Sequence, residues 1–207
     1  MNIARILFPV KVLGPGNRVG IWVSGCPRRC PGCSNPELWQ QKQEYEIPVS
    51  ELKDLIGSIA NNKKVDGFTI TGGEPLEQPE ELAELIAYMK TISSDVLVYS
   101  GYKYEELLQQ RSKFIDDILH SISVLIDGQY IEALNTDVVL RGSENQSIIV
   151  LNVEYKPFYE KYLETAHNQI QNFTTSDGVV SVGIHRRDFA RKIGVRINYI
   201  EGSKNNV

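Results

Sequence analysis

Cysteine and histidine are scarce in this chain, with three of each among 207 residues. An odd number of thiols cannot close a disulfide framework, and bridges belong to oxidising compartments, so a stapled secreted scaffold is excluded. Long apolar runs are also missing. The longest are strand-sized, such as Gly20-Ile21-Trp22-Val23-Ser24, which excludes a membrane-spanning helix. There is no basic surplus: the formal net charge is −4, so no general attraction to nucleic acid or to an anionic membrane is expected. No basic-then-apolar leader follows Met1-Asn2-Ile3, and no repeat or low-complexity tract interrupts the chain. The expectation is a soluble, cytoplasmic protein. With 42% hydrophobic and 23% charged residues, it has the make-up of one ordinary globular domain, or of one domain plus an appendage.

All the cysteine lies in one eight-residue stretch, Cys26-Pro27-Arg28-Arg29-Cys30-Pro31-Gly32-Cys33. Flanking prolines and a glycine make this a turn-rich loop and not a core segment. Structural zinc takes four Cys or His ligands. Here no fourth cysteine exists, and His120, His167 and His185 all lie far along the chain. Three thiolates in one tight loop fit a 4Fe–4S cubane with one iron left open to a ligand. A zinc knob completed by His185 stays open as the alternative.

Short β-rich runs recur, Arg18 to Ser24, Gly67 to Thr71, Val96 to Tyr99, Val124 to Ile126, Ile148 to Leu151 and Gly178 to Ile184, and from the second on their ends fall at the interval of one βα unit. Between them lie amphipathic stretches. One has Leu52, Leu55, Ile56 and Ile59 on one face, the next Leu82, Leu85, Ile86 and Met89, and two shorter ones run from Tyr104 to Gln110 and from Lys113 to Ile122. The alternation predicts an α/β fold with a parallel sheet. Six units are too few to close a barrel of eight, so an open, partial (β/α)6 TIM-like barrel is expected. Glu154 to Phe173 reads as a polar, tyrosine-bearing helix. A basic helix from Arg186 to Ile193, a last strand from Val195 to Ile200 and a frayed tail from about residue 202 are expected to follow. The division expected is a core over residues 1–153 and an extension over 154–207 that completes or flanks the barrel.

In parallel α/β folds, ligands gather at the carboxyl ends of the strands. The cysteine loop follows the first run, Gly72-Gly73-Glu74-Pro75 the second, Ser100-Gly101-Tyr102 the third and Asp127-Gly128 the fourth. Four such loops would converge on one mouth. Two glycines let a backbone come close and expose its carbonyls, and Glu74 brings negative charge.

The cysteine spacing (three residues, then two) and the Gly-Gly-Glu-Pro stretch resemble the radical S-adenosylmethionine (SAM) superfamily. Gly25 to Trp39, Leu13 to Arg18, Tyr99 to Tyr102, Leu125 to Tyr130 and Arg141 to Gln146 further resemble the anaerobic ribonucleotide reductase activating proteins, over roughly residues 1–153. The resemblance implies a partial barrel of the radical SAM type, a 4Fe–4S cluster on Cys26, Cys30 and Cys33, and SAM held by Gly32, Cys33, Ser34, Gly72, Gly73, Glu74, Pro75, Ser100 and Asp127. It also implies reductive cleavage of SAM to a 5′-deoxyadenosyl radical and a large glycyl radical enzyme as partner. The electron donor would be a flavodoxin or ferredoxin, to which Arg28 and Arg29 offer a basic guide. Many such activators read Asp-Gly-Pro-Gly where this chain has Leu13-Gly14-Pro15-Gly16. Gly32 stands where most radical SAM proteins carry an aromatic residue, a change the reductase activators share. The alternatives are a radical SAM enzyme acting on a small molecule or peptide, such as a 7-carboxy-7-deazaguanine synthase-like protein, and an iron–sulfur protein that carries electrons or senses redox state. Trp22 and Trp39 read as packing residues.

Overall fold

Six strands form one open sheet in sequence order in the computed structural model, which describes residues 1–175 and 178–187. They are β1 (Ile3–Val10), β2 (Arg18–Val23), β3 (Gly67–Gly72), β4 (Val96–Tyr99), β5 (Val124–Asp127) and β6 (Ser147–Val150). From β2 to β5 the strands run parallel, while β1 and β6 are antiparallel edges. The fold is therefore mixed α/β with a mostly parallel central sheet, and no closed barrel forms among the described residues. Every residue of β2 is buried, as expected of a parallel strand covered on both faces.

Four helices make the crossovers and the wall on one face: α1 (Val49–Asn62), α2 (Pro79–Met89), α3 (Tyr104–Gln109) and α4 (Lys113–Ser121). Their apolar stripes, Leu52 and Ile56, then Leu82, Leu85, Ile86 and Met89, then Ile115 and Ile118, meet Ile21, Phe68, Ile70, Val98 and Leu125 of the sheet in the main core. Pro79 opens α2, where its missing N–H leaves nothing unsatisfied.

Two of the expected βα units are corrected. β6 returns antiparallel to β5, with Val124 opposite Val150 and Asp127 opposite Ser147. Only a short 3-10 turn (Glu132–Leu134) lies between them, and a parallel return needs a crossover of a dozen residues or more, usually a helix. The polar segment after residue 153 forms a helix only over α5 (Lys156–Thr165). The chain then makes a separate hairpin of β7 (Ile170–Thr175) and β8 (Gly178–Gly183), with Thr175 opposite Gly178. Gly178 to Ile184 thus adds no strand to the main sheet. β1, for which the sequence offered no clear signal, supplies the opposite edge, and its Pro9 sits where an edge strand tolerates the lost donor. The expected basic helix beyond Arg187, the last strand and the frayed tail lie outside the described residues.

The second face of the sheet is covered by this C-terminal segment. Tyr159 of α5 is fully buried with Leu97, Val124 and Ile126, and Val182 of β8 packs with Val10, Leu13, Trp22 and Leu38. Beneath them lies a charged knot. Arg18 is fully buried and donates to Asp95 Oδ2 at 2.6 Å, Thr69 Oγ1 at 2.7 Å and the Pro15 carbonyl at 3.1 Å. The Tyr159 hydroxyl donates to Asp95 Oδ1 at 2.7 Å. Asp95→Ala should destabilise the fold by about 3–5 kcal/mol, because it leaves a buried guanidinium without its counter-charge. Urea denaturation measures this, and a loss under about 1 kcal/mol would mean that water reaches Arg18.

Candidate functional site

The loop after β2 is shaped by its return path. Gly25 turns the chain with φ +99, and the chain comes back along Leu38 and Trp39. The Gly25 amide donates to the Leu38 carbonyl at 2.8 Å, and the Cys26 amide donates to the Trp39 carbonyl at 2.9 Å. Leu38 is fully buried and anchors the return. Inside the loop, the Cys33 amide donates to the Cys30 carbonyl at 3.2 Å, and the Asn35 amide donates to Cys33 Sγ at 3.4 Å. Burial pushes the Cys26 thiol up, against the Arg28 and Arg29 amides that favour its thiolate. It pushes Cys33 up as well, against the Asn35 amide and the Trp39 indole.

The loop after β3 packs directly on this turn. The Gly73 amide donates to the Val23 carbonyl and the Glu74 amide to the Gly25 carbonyl, both at 2.8 Å. Gly72 holds φ +104, whereas Gly73 needs its missing Cβ for a different reason: such an atom would stand 2.4 Å from the Gly25 carbonyl oxygen. Gly73→Ala should therefore push the cysteine loop outward and destabilise the metal-free fold, which a lowered urea midpoint measures; an unchanged midpoint would mean that the Gly25 turn yields at little cost.

Glu74 is buried and fully engaged. Its Oε1 accepts from the Leu76 amide at 3.1 Å and the Ser100 hydroxyl at 2.9 Å, and its Oε2 accepts from the Gly101 amide at 2.7 Å. It thus ties the loops after β3 and β4 together. Burial raises its carboxyl to about 7 against these three donors, with Arg28 nearby also favouring the carboxylate. Since the folded-state pKa lies above the unfolded one, the stability this proton brings is complete below about pH 4.5 and is lost as pH rises through about 7. The change is up to about 3 kcal/mol. Urea midpoints of the metal-free protein should fall across that window, and Glu74→Gln should flatten the fall.

One cavity joins these loops, with about 1040 Å³ of empty space including its open mouth. Cys26, Cys30 and Cys33 line it, together with Ser34, Gly72, Gly73, Glu74 and Ser100. Three other expected contacts stand off it. Gly32 is exposed and faces the Glu132 side chain, and Pro75 is buried at the start of a 3-10 turn. Asp127 accepts from Lys103 Nζ at 3.2 Å, the Ser147 amide at 3.1 Å and the Tyr104 amide at 2.9 Å, pinning β5 to its neighbours. Gly128 lines the wall in its place. Arg28 also reaches the cavity, stacked 4.1 Å from the centre of the Tyr102 ring and paired with Glu106 at 3.0 Å. Tyr102 is itself pushed up to about 12, chiefly by its hydrogen bond with Glu77.

Sequence reasoning missed part of the wall. Tyr130 and Gln146 line it from segments that carry the family resemblance but had no role assigned. Ser181 to Ile184, at the end of the hairpin and just past it, line it with no signal in the sequence to announce them, and His185, weighed above only as the fourth ligand of a zinc knob, lines it beside them. His185 Nε2 lies 3.1 Å from Ser181 Oγ, and burial lowers its pKa. Among the described residues, no three His, Cys, Asp or Glu side chains form a group able to hold a single metal ion.

The wall does suit an anionic group: two buried nitrogens on it, Arg28 Nε and Trp39 Nε1, have no hydrogen-bond partner. Residues 12–149 match the family model of the 4Fe–4S single cluster domain, which puts the chain among iron–sulfur proteins. It is 33% identical over 152 residues to the anaerobic ribonucleoside-triphosphate reductase-activating protein of Enterobacteria phage T4, covering 72% of this chain and 93% of that protein. The proteins of the same description from Escherichia coli K12 and Haemophilus influenzae are 30% and 32% identical over 149 residues, each over 68% of this chain and 94% and 93% of their own length. The chain belongs to the family of anaerobic ribonucleoside-triphosphate reductase-activating proteins. The family model ends at residue 149, before α5 and the hairpin. No described helix is long and apolar enough to cross a membrane.

Proposed function

We propose that this chain is a radical SAM enzyme of the glycyl radical activating type and that its partner is an anaerobic ribonucleotide reductase. One observation carries the reading: three thiols and the Gly72-Gly73-Glu74 loop line a single cavity in a chain with a 4Fe–4S family domain. Cys26, Cys30 and Cys33 would each hold one iron, leaving the fourth for SAM. When bound, the cluster supplies the electron that splits SAM into methionine and a 5′-deoxyadenosyl radical, which takes a hydrogen atom from a glycine of the partner.

The chain's own residues orient and enclose. The Arg28, Arg29 and Asn35 amides favour the Cys26 and Cys33 thiolates. Gly72 and Gly73 bring backbone to the cavity, Ser34 offers a hydroxyl there, and Glu74, bonded to the Ser100 hydroxyl and the Gly101 amide, holds the loops after β3 and β4 in register. The open sheet is compatible with a partial barrel of the radical SAM type. Residues 1–153 would form the cluster- and SAM-binding core, with 154–207 as a flanking extension, and a cytoplasmic flavodoxin or ferredoxin would supply the electron. The test is anaerobic incubation with SAM and dithionite. Release of 5′-deoxyadenosine is the expected result; a reduced cluster that leaves SAM intact would make the protein an electron carrier or redox sensor instead.

A further inference from the structure

Among the described residues, Arg28 is the one lysine or arginine on the cavity wall. Its neighbour Arg29 is exposed and stands off the cavity. The Arg28 side chain leaves the cysteine loop and lies across the loop after β4. Its Nη2 pairs with Glu106 Oε2 at 3.0 Å, and its guanidinium carbon lies 4.1 Å from the centre of the Tyr102 ring. Gly101 makes room for it: a Cβ there would stand 2.4 Å from Arg28 Cδ and 3.0 Å from Nε. Glu106 is fixed in turn, since the same Oε2 accepts the Lys103 amide at 2.8 Å. The cation is therefore held in one place before any ligand arrives, which lowers the ordering cost of binding one.

These contacts leave it only partly engaged. Nε is buried without a hydrogen-bond partner, while Nη1 has no partner and is not buried. Glu74, the carboxyl group on the same wall, accepts from Leu76, Ser100 and Gly101 and takes no bond from Arg28. Glu106 is 53% exposed, so water screens its charge. A guanidinium nitrogen left open on a concave wall is a site for a carboxylate. SAM carries one anionic group, the carboxylate of its methionine end. We infer that Arg28 binds that carboxylate, donating from Nη1, and that Gly101 lacks a side chain so that Arg28 can reach the cavity. The inference rests on the reading that SAM occupies this cavity.

The test compares two ligands on the reconstituted full-length protein with its cluster oxidised, so that neither is cleaved. One is SAM; the other is decarboxylated SAM, which keeps the adenosine, the sulfonium and the amine. Arg28→Gln should keep its iron and sulfide and bind SAM about ten- to hundredfold more weakly, the effect of losing one hydrogen bond to a charged group. Its affinity for decarboxylated SAM should stay at the wild-type level. Gly101→Ala keeps the charge but displaces the side chain, and it should show the same selective loss. Equal losses for both ligands in loaded Arg28→Gln, or no loss for either, overturn the inference and leave the SAM reading standing. Should Arg28→Gln hold no cluster, Arg28→Lys takes its place: a loss confined to SAM supports the inference, and any other pattern overturns it. Loss of the cluster from both variants also overturns it, because Arg28 would then serve the assembly of the cysteine loop. A loaded wild type that binds neither ligand removes both readings together.

Discussion

Cys30→Ala should fold normally and hold no stable cluster. Cys30 is the most buried of the three thiols, and its backbone carbonyl holds the Cys33 amide whatever the side chain. The loop is closed further out, by Gly25 on Leu38 and Cys26 on Trp39, so the substitution removes one small side chain and no turn. A cubane, by contrast, loses a third of its protein ligands. Iron and sulfide should fall from about four each per wild-type chain, the inventory of one cubane, to a small remnant. Release of 5′-deoxyadenosine should fall to the uncatalysed background, while circular dichroism and the urea midpoint stay near wild type. A Cys30→Ala protein that kept a full cluster and normal SAM cleavage would sink the ligand assignment. Metal analysis of the wild type after anaerobic isolation decides the remaining alternative, because zinc in place of iron would restore the closed knob.

The parts of this molecule governed by local sequence are readable without the structure. β2, β3, β4 and β5 are legible because each is a short apolar run ended by a glycine or a serine–glycine pair, and helices α1, α2 and α4 because their apolar residues repeat at helical spacing. The meeting of the cysteine loop with Gly72, Gly73, Glu74 and Ser100 follows from one rule about strand ends. Strand direction does not follow. Ile148 to Leu151 looks the same whether it pairs parallel or antiparallel, and only the missing crossover helix before it decides. The side-chain role of Glu74 is hidden too, since a carboxylate placed to meet a ligand and one committed to Leu76, Ser100 and Gly101 are the same letter. The hairpin is the hardest element. Its strands are short, β7 merges into a helical reading of the polar stretch before it, and its place against Trp22 and Leu38 depends on contacts far apart in the chain.

That hairpin and the helix before it make the effect of truncation the sharpest test of what the segment after residue 153 does. A chain ending at Asn152 should fail to fold, although it retains every cysteine and the whole Gly-Gly-Glu-Pro loop. It would lose Tyr159, which is fully buried and bonded to Asp95 at 2.7 Å. Losing one buried aromatic side chain typically costs about 3–5 kcal/mol. With it would go Leu163 and Tyr162 from the same cluster and Val182 from the next. Gln171 would go as well; it donates to the Pro9 carbonyl at 2.8 Å and accepts the Lys11 amide at 2.9 Å. Together these losses approach the whole stability of a domain, about 5–15 kcal/mol, so aggregation or a non-cooperative melt is expected. A chain ending at Ala166 keeps α5 and its bond to Asp95 and gives up only β7, β8 and the residues around them. It should fold, bind the cluster and release 5′-deoxyadenosine, but it should lose coupling to the partner, because Ser181 to His185 would no longer line the cavity. The two activities must be assayed separately on the soluble Ala166 chain. Glycyl radical formation at the full wild-type level there would strip the hairpin of any part in partner recognition, and a cooperative unfolding transition in the Asn152 chain would show that α5 lies outside the folding core.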